Sequence, residues 1–354
     1  MKPAVSVIMS VYNGEAYLEE AIESVRNQTF KNWELIVIND CSKDSTAEIL
    51  ENFSLKDERI KVHTNEVNLR LPTSLNKAIS LSSGKYIARM DADDICLPER
   101  LEKQYKFMEE NPDIALSSCR FMTVKNGIYM SGGSGGRCDS SAIKAMLLVS
   151  NPIIHPGVIA KTEVMKKFNY DATFTCTEDL ELWTRMAAEN QKMAILPECL
   201  LIYRLHDKQI TSTTLEIQHT EVLKIQQKYY GALCKEMDEA TGRFYISGIY
   251  FRENADTDKF LKYAKWLKSV TSSNFDKKDI NYVLLEVLAE YKRYGVQKSD
   301  VLKAMIKFNP LFLMKEIIRR KKSAQNDIEK CMKAAKDLNL KQTAGTNEFP
   351  IFEK

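Results

Sequence analysis

Residues 86–94, Tyr86-Ile87-Ala88-Arg89-Met90-Asp91-Ala92-Asp93-Asp94, carry a strand-like apolar run straight into three carboxylates. The same layout occurs twice upstream. Val5-Ser6-Val7-Ile8-Met9 leads into Ser10-Val11-Tyr12-Asn13, and Leu35-Ile36-Val37-Ile38 leads into Asn39-Asp40-Cys41-Ser42. Between these runs, apolar residues fall at helical spacing: Leu18, Ala21, Ile22 and Val25, then Ile49, Leu50 and Phe53 in a helix from about Ser45. Ile60 and Val62 make a short third strand, and the next helix begins near Pro72, a residue suited to a first helical turn. Pro98 opens another helix, with Leu101, Tyr105 and Met108 aligned. Short apolar runs alternating with amphipathic helices predict an α/β sheet. Ligands of open α/β sheets bind beyond the carboxyl ends of the strands, so the three polar strand ends are candidate site residues on one edge.

The bulk properties narrow the class. The chain has 354 residues, long enough for about two domains, and its 44% apolar and 28% charged composition is that of an ordinary globular protein. Lys and Arg number 51 against 48 Asp and Glu, and a net charge of +3 is too small to suggest a nucleic-acid partner. Eight scattered cysteines without a CxxC pair suggest neither a zinc site nor a disulfide framework. No apolar signal segment precedes Val5, and the longest apolar region, Ala145 to Ala160, is broken by Asn151, Pro152, His155 and Pro156, short of the ~20 apolar residues of a membrane span. These features together place the protein in the cytoplasm as an expectation.

Farther along, Asn126-Gly127 reads as a two-residue hairpin and Gly132 to Gly136 as a loop. Strand signals recur at Val158-Ile159 and Leu200 to Tyr203, with a helix from about Glu178 between them. After about Thr214 only helical spacing remains, around Phe260 to Leu267, through Leu284, Val287, Leu288 and Tyr291, and at Leu302 to Ile306. The expected organisation is a domain over 1–214, a helical domain over 215–335 and a polar tail over 336–354.

Asp91, Asp93 and Asp94 repel one another unless a cation or water neutralises them, and a divalent metal completed by water and substrate phosphates fits this pattern. A helix start near Pro98 is the competing explanation, since Asp is a good N-cap. A calcium loop of the EF-hand kind fails, because Ile95 and Cys96 replace a polar ligand and the required glycine.

The segments VSVIMSVYN (5–13), LIVINDCS (35–42), GKYIARMDADDICLPER (84–100) and TEDLELWTR (177–185) resemble the family 2 glycosyltransferases of GT-A fold. The resemblance covers roughly residues 4 to 212. It implies a mixed, mostly parallel sheet flanked by helices, with a C-terminal helical region added. It also implies an inverting transfer of sugar from a nucleotide-diphosphate donor, a UDP-sugar by expectation, to an acceptor hydroxyl. By the same resemblance Asp40 contacts the base, Tyr12 lies against it, and Ser10 and Glu15 belong to the donor loop, Ser10 standing where proline is common. Arg70 falls near the donor diphosphate or is a surface arginine before a helix. Asp91-Ala92-Asp93 matches the DxD motif, so that Asp93 ligates Mn²⁺ or Mg²⁺ and Asp91 contacts the donor or shares the metal. Asp94 caps the next helix or braces the loop. Asp179 matches the catalytic base, with Glu178 a helper or structural residue and Trp183 core. His206, in a YRxH segment, approaches the metal or is a structural histidine, and His155 falls near the acceptor side.

The partners expected are the nucleotide sugar and a glycan or lipid-linked glycan acceptor, in bacterial surface polysaccharide assembly. Residues 309–322, apolar with a basic end, either touch the inner face of an anionic membrane or pack as a helix. A non-catalytic sugar-nucleotide-binding or scaffold module and a sugar nucleotidyltransferase are the competing classes. The latter would need a Gly-rich, Arg-containing loop where Ser10 to Gly14 stands.

Overall fold

The central strands are apolar on both faces because both faces are covered. In the computed structural model, which describes residues 2–125, 128–132, 139–206, 215–233, 257–270, 274–291 and 341–342, β1 (Val5–Val11) lies between β2 (Trp33–Asn39) and β4 (Tyr86–Arg89), with β3 (Ile60–Thr64) beyond β2. All four run parallel, with Ile8 in register with both Ile36 and Arg89. Alternate residues divide between two cores. Ile8, Ile36, Ile38 and Ile87 face one, and Val7, Met9, Leu35, Val37 and Ala88 face the other. Each such side chain contributes about 1.5–3 kcal/mol of burial, which is why near-continuous Val/Ile runs specify interior parallel strands.

The helices expected between these strands are present with shifted starts. They are α1 (Leu18–Arg26), α2 (Thr46–Lys56), α3 (Arg70–Leu81) and α4 (Arg100–Glu110). Helix α1 begins at Leu18, so Glu15 lies in the preceding loop and not in a first helical turn. Helix α3 starts two residues before Pro72, and α4 two after Pro98. Asp94 caps no helix, since α4 is preceded by Glu99 and the Asp94 side chain turns elsewhere. A two-residue strand, β5 (Ile95–Cys96), intervenes, too short to leave a sequence pattern.

The sheet then becomes mixed. β6 (Ile114–Lys125) pairs antiparallel with β7 (Ile128–Gly132) and with β8 (Ile159–Lys161), which is antiparallel to β4. β9 (Lys192–Leu205) runs parallel to β6 and antiparallel to β5, and β10 (Lys341–Gln342) pairs with β7. Helices α5 (Ser140–Met146), α6 (Thr162–Phe168) and α7 (Glu178–Ala188) cover this half. The expected mixed, mostly parallel sheet flanked by helices is what the chain forms. Strand β9 is far longer than its sequence signal at Leu200 to Tyr203, and β6 runs for twelve residues up to the expected hairpin. The hairpin at Asn126-Gly127, the Gly133 to Gly136 part of the loop, and the segments 302–306 and 309–322 lie outside the described residues.

Among the described residues three helices follow: α8 (Leu215–Leu233), α9 (Thr257–Val270) and α10 (Lys277–Tyr291). Their buried residues, among them Val222, Ile225, Tyr229, Leu267 and Val283, share one core with Ile143, Leu180 and Trp183. Tyr229, Tyr230 and Gln226 of α8 donate to the backbone oxygens of Lys144, Leu148 and Leu147 at 2.8, 3.0 and 2.8 Å. The boundary expected near residue 214 falls among the residues outside those described. No helix among the described residues is long and apolar enough to cross a membrane.

Two buried polar clamps hold the strands that carry the site. At the amino edge, Ser6 Oγ donates to Glu34 Oε1 (2.6 Å) and accepts from the Gly84 amide (2.8 Å), while Ser83 and Lys61 complete the shell. Burial opposes the Glu34 charge, but these donors outweigh it and hold its pKa at about 2. At the other edge the buried Arg100 guanidinium donates to Arg89 O (2.7 Å) and Val158 O (3.2 Å), joining α4 to the ends of β4 and β8.

A Cβ on Gly84 would lie 2.6 Å from Ser6 N and 2.9 Å from Val5 C, both backbone atoms that cannot swing aside. Gly84→Ala should therefore cost about 1–3 kcal/mol, read as a lower urea midpoint with an unchanged m-value. Unaltered stability would mean that the turn relaxes freely.

Candidate active site

The carboxyl edge of β1, β2 and β4 is assembled by reciprocal loop-to-loop hydrogen bonds. After β1, the Asn13 amide donates to Ser42 Oγ (3.0 Å), Gly14 N to Thr46 Oγ1 (2.9 Å) and Glu15 N to Asp44 Oδ2 (3.1 Å). The β2 loop answers through Lys43 N to Asn13 Oδ1 (2.8 Å) and Ser45 N to Glu15 Oε2 (3.0 Å). Asn13 and Cys41, in the loops after β1 and β2, and Arg70, at the first position of α3, hold positive φ of 52°, 65° and 67°. Left-handed backbone in non-glycine residues costs energy and concentrates where function constrains the chain.

Asp40 closes this corner. It is 2% exposed, and its Oδ1 accepts from Asn65 Nδ2 and the Leu69 amide, both at 2.8 Å. The Leu69 bond anchors the turn into α3, so Asp40 and Arg70 belong to one corner of the edge. Tyr12, 51% exposed, stands beside it, with Ser10 half-buried at the end of β1 in register with Ile38. Arg70 is exposed at the first position of α3. Glu15 is exposed and committed to Ser45.

The acidic turn leaves β4 next to this corner. Met90 N donates to Ile8 O (3.0 Å), and a Cβ on Gly14 would come within 4.0 Å of the Ala92 methyl, so the turn lies against the β1 loop. Oxygen atoms of Asp91, Asp93 and Asp94 lie within 4.8 Å of one another. His206 Nε2 is 2.9 Å from Asp93 Oδ2, and its ring packs on Tyr17 at 5.1 Å between centroids. Asp94 is fully buried. Its Oδ1 accepts from the Arg204 amide (2.9 Å), so it braces the end of β9, while Oδ2 has no partner among the described residues. Burial and its two acidic neighbours push the Asp94 carboxyl well above the ordinary range. A hard, oxygen-rich donor set holding a buried oxygen without a partner suits Mg²⁺ or Mn²⁺. The residues fit a divalent cation.

Arg89, placed in the strand two residues before the turn, binds Asp91 with both terminal nitrogens, Nη1 to Oδ2 at 2.5 Å. Its side chain is 4% exposed. Burial drives the Asp91 carboxyl up to about 6 against the pull of Arg89, with Asp93 and Asp179 adding repulsion. The field of Asp179 at Asp91 joins the acidic turn to the start of α7. There Asp179 Oδ1 accepts from the Leu180 amide (2.7 Å) and Oδ2 from Asn151 Nδ2 (2.7 Å), a fixed orientation for a carboxylate. Burial raises its pKa, while Leu180, Arg89 and Asn151 favour its charge. Glu178 is buried beneath it, 3.6 Å from His155 Nδ1, and burial with the Asp179 charge lifts it to about 8. His155 Nε2 meets the Tyr170 hydroxyl at 2.7 Å. Burial and Arg89 keep His155 neutral by holding its pKa well below the usual value. Trp183 is fully buried with its ring 5.9 Å from His155.

The residues expected from sequence thus gather along one edge, Tyr12, Asp40 and Arg70 at one corner and Asp91, Asp93 and His206 beside them. Asp179 and Asp91 both feel the Arg89 charge. His155 is packed under Glu178. Arg89, Asn151, Asn65 and Tyr170 escaped the sequence reading. Arg89 had left a signal, a lone charge inside an apolar strand, whereas Asn151 and Tyr170 lie in loops with no pattern.

Residues 6–160 match the family described as Glycosyl transferase family 2. A glycosyltransferase of Methanocaldococcus jannaschii is 40% identical over 210 residues, 58% of this chain and 72% of that protein. The O-antigen biosynthesis glycosyltransferase WbnJ of Escherichia coli is 34% identical over 60% of this chain and 83% of its own length. Among solved structures, TarS 1-349 of S. aureus in complex with UDP-GlcNAc superposes with a TM-score of 0.57 at 17% identity, over 83% of this chain and 92% of that one. At that identity the likeness is one of fold.

The raised Glu178 carboxyl sets a sign for pH dependence. A group protonated in the folded chain up to about 8 but ionising near 4.5 when unfolded adds stability below 4.5 that is lost as pH rises toward 8. The uncharged isostere Glu178→Gln should flatten this decline and be more stable than wild type at pH 8, by about 1–3 kcal/mol. Parallel urea curves for the two proteins at pH 5 and pH 8 check it, and an equal gap at both values would sink it.

Proposed function

The chain belongs to glycosyl transferase family 2, and we propose that it moves a sugar from a nucleotide-diphosphate donor to an acceptor hydroxyl in a single inverting displacement. The observation that carries this reading is electrostatic. Arg89 pairs with Asp91 in the acidic turn and its charge also reaches Asp179, a carboxylate oriented by the Leu180 amide and Asn151 and able to take a proton. Competing readings as a binding module or nucleotidyltransferase find no support in the family.

The donor is a UDP-sugar, its base held by Asp40 and Tyr12, with Ser10 lining the β1 end and Arg70 facing the diphosphate. Glu15 serves the donor loop by holding Ser45. Asp93, with Asp91 and His206, would hold Mn²⁺ or Mg²⁺, and a cation bound there supplies charge neutralisation for the departing diphosphate. Asp179 takes the acceptor proton as the acceptor oxygen bonds to the anomeric carbon and the bond from that carbon to the diphosphate breaks. Its bonds from Leu180 N and Asn151 keep the carboxylate aimed, and removing solvent around it strengthens its basicity. Arg89 stabilises Asp91 as an anion, leaving it an acceptor for donor hydroxyls. The inverting outcome follows from attack on the face opposite the leaving group. The O-antigen relative supports a surface polysaccharide as the product.

Two measurements test this. Asp179→Asn should lower turnover by about 10²–10⁴-fold while donor still binds in the presence of Mn²⁺, measured by release of nucleoside diphosphate and by calorimetry. Near-wild-type turnover would remove Asp179 from the reaction. Hydrolysis of UDP-N-acetylglucosamine, UDP-glucose and UDP-galactose should stop with EDTA and return with Mn²⁺. Hydrolysis unaffected by the chelator would remove the cation from Asp93.

A further inference from the structure

A carboxylate far along the sequence reaches back to the acid pair. Glu221 lies on α8, beyond the residues that match the family, and is 7% exposed. Its Oε1 accepts from the Thr175 amide (2.9 Å) and the Thr175 hydroxyl (3.3 Å). Its Oε2 accepts from the Cys176 amide (3.1 Å) and the Thr177 hydroxyl (2.7 Å). All four donors belong to the three residues that immediately precede Glu178 and Asp179.

This arrangement has a local cost. Thr177 stands at the N-cap of α7, where its hydroxyl oxygen would ordinarily accept from an amide of the first turn, yet it makes no capping bond. The hydroxyl donates to Glu221, and the Leu180 amide that it could have capped is taken by Asp179 Oδ1. The orientation of Asp179 therefore depends on where the segment 175–177 places the first turn of α7. Asn151 holds the second oxygen of the same carboxylate. Elsewhere α8 and α7 share one apolar core, with Val222, Ile225 and Tyr229 on one helix and Leu180 and Trp183 on the other, and Lys228 lies 4.0 Å from Glu181, contacts that set helix spacing but not the path of the preceding loop.

We propose that Glu221 is a positioning residue for glycosyl transfer, fixing Thr175–Thr177 from the C-terminal helices and thereby the aim of the Asp179 carboxylate. The proposal rests on the reading of Asp179 as the base and extends the working site beyond the α/β sheet. A carboxylate is required, because each oxygen receives two hydrogen bonds. A glutamine would offer one accepting oxygen and turn its NH₂ against amide or hydroxyl donors.

The test uses Glu221→Gln in the full chain, with UDP release from the fastest of the three UDP-sugars named above and amide exchange as a separate readout. Exchange at Thr175 and Cys176 should quicken by about 10-fold or more as their acceptors are lost. Unchanged exchange overturns the proposal whatever the donor. The kcat should fall about 10–100-fold, as for a misplaced catalytic group, with the donor KM within about twofold of wild type. In an Asp179→Asn background the same change should add less than about twofold, because the carboxylate it aims is already gone. An undiminished kcat, or an equal further loss in that background, overturns it. If Asp179→Asn alone retains turnover, the base assignment fails and the proposal with it, a result distinct from failure at Glu221. Thr177→Val, which removes one bond and leaves the carboxylate, should show a smaller loss of kcat in the same direction and serves if Glu221→Gln does not fold.

Discussion

The active edge of this protein depends on one buried guanidinium. Arg89 lies inside the sheet, and Asp91, Asp94, Glu178 and Asp179 all feel its charge. Burial raises all four carboxyls, mutual repulsion adds to it at Asp91, Asp94 and Glu178, and without the Arg89 charge they would hold their protons more firmly still. Breaking a buried charge pair is expensive, about 3–5 kcal/mol, so the location of Arg89 is a structural commitment as well as an electrostatic one. Arg100 secures it from below by bonding the Arg89 carbonyl, which ties the strand that carries the charge to the helix after the acidic turn.

Around that charge the corner formed by the first three loops is built largely from backbone amides and short polar side chains. The loops after β1 and β2 share five cross-bonds through Asn13, Gly14, Glu15, Lys43 and Ser45. Asp40 then joins the third loop to them through Leu69. Because each bond satisfies a group that the turn would otherwise leave bare, the loops support one another more than any supports itself.

Much of this could be read before any coordinates. Parallel strands buried on two faces advertise themselves as unbroken runs such as Leu35 to Ile38, and their polar ends marked Asp40, Asp91 and Asp93. Helix starts were read less well, since Pro72 and Pro98 suit a first turn but do not fix it. Asp94 was expected to cap a helix or brace a loop, and only the second is true, because its partner is the Arg204 amide more than a hundred residues away. The contacts of Asn151 with Asp179 and of Glu221 with Thr177 were illegible for the same reason. They join segments whose pairing is decided by tertiary packing, and nothing local in either segment records it.

The nearness of Gly14 to Ala92 has a practical side. The middle residue of the acidic turn lies within van der Waals reach of that glycine, which in turn packs on Val11 and belongs to the loop laced to residues 42–46. Residues 13–15, 42–46 and 91–93 therefore form one packed unit, and a graft between relatives would have to carry all three together, as a single cassette. Exchanged piecemeal, each segment would arrive without the counterpart that gives it shape.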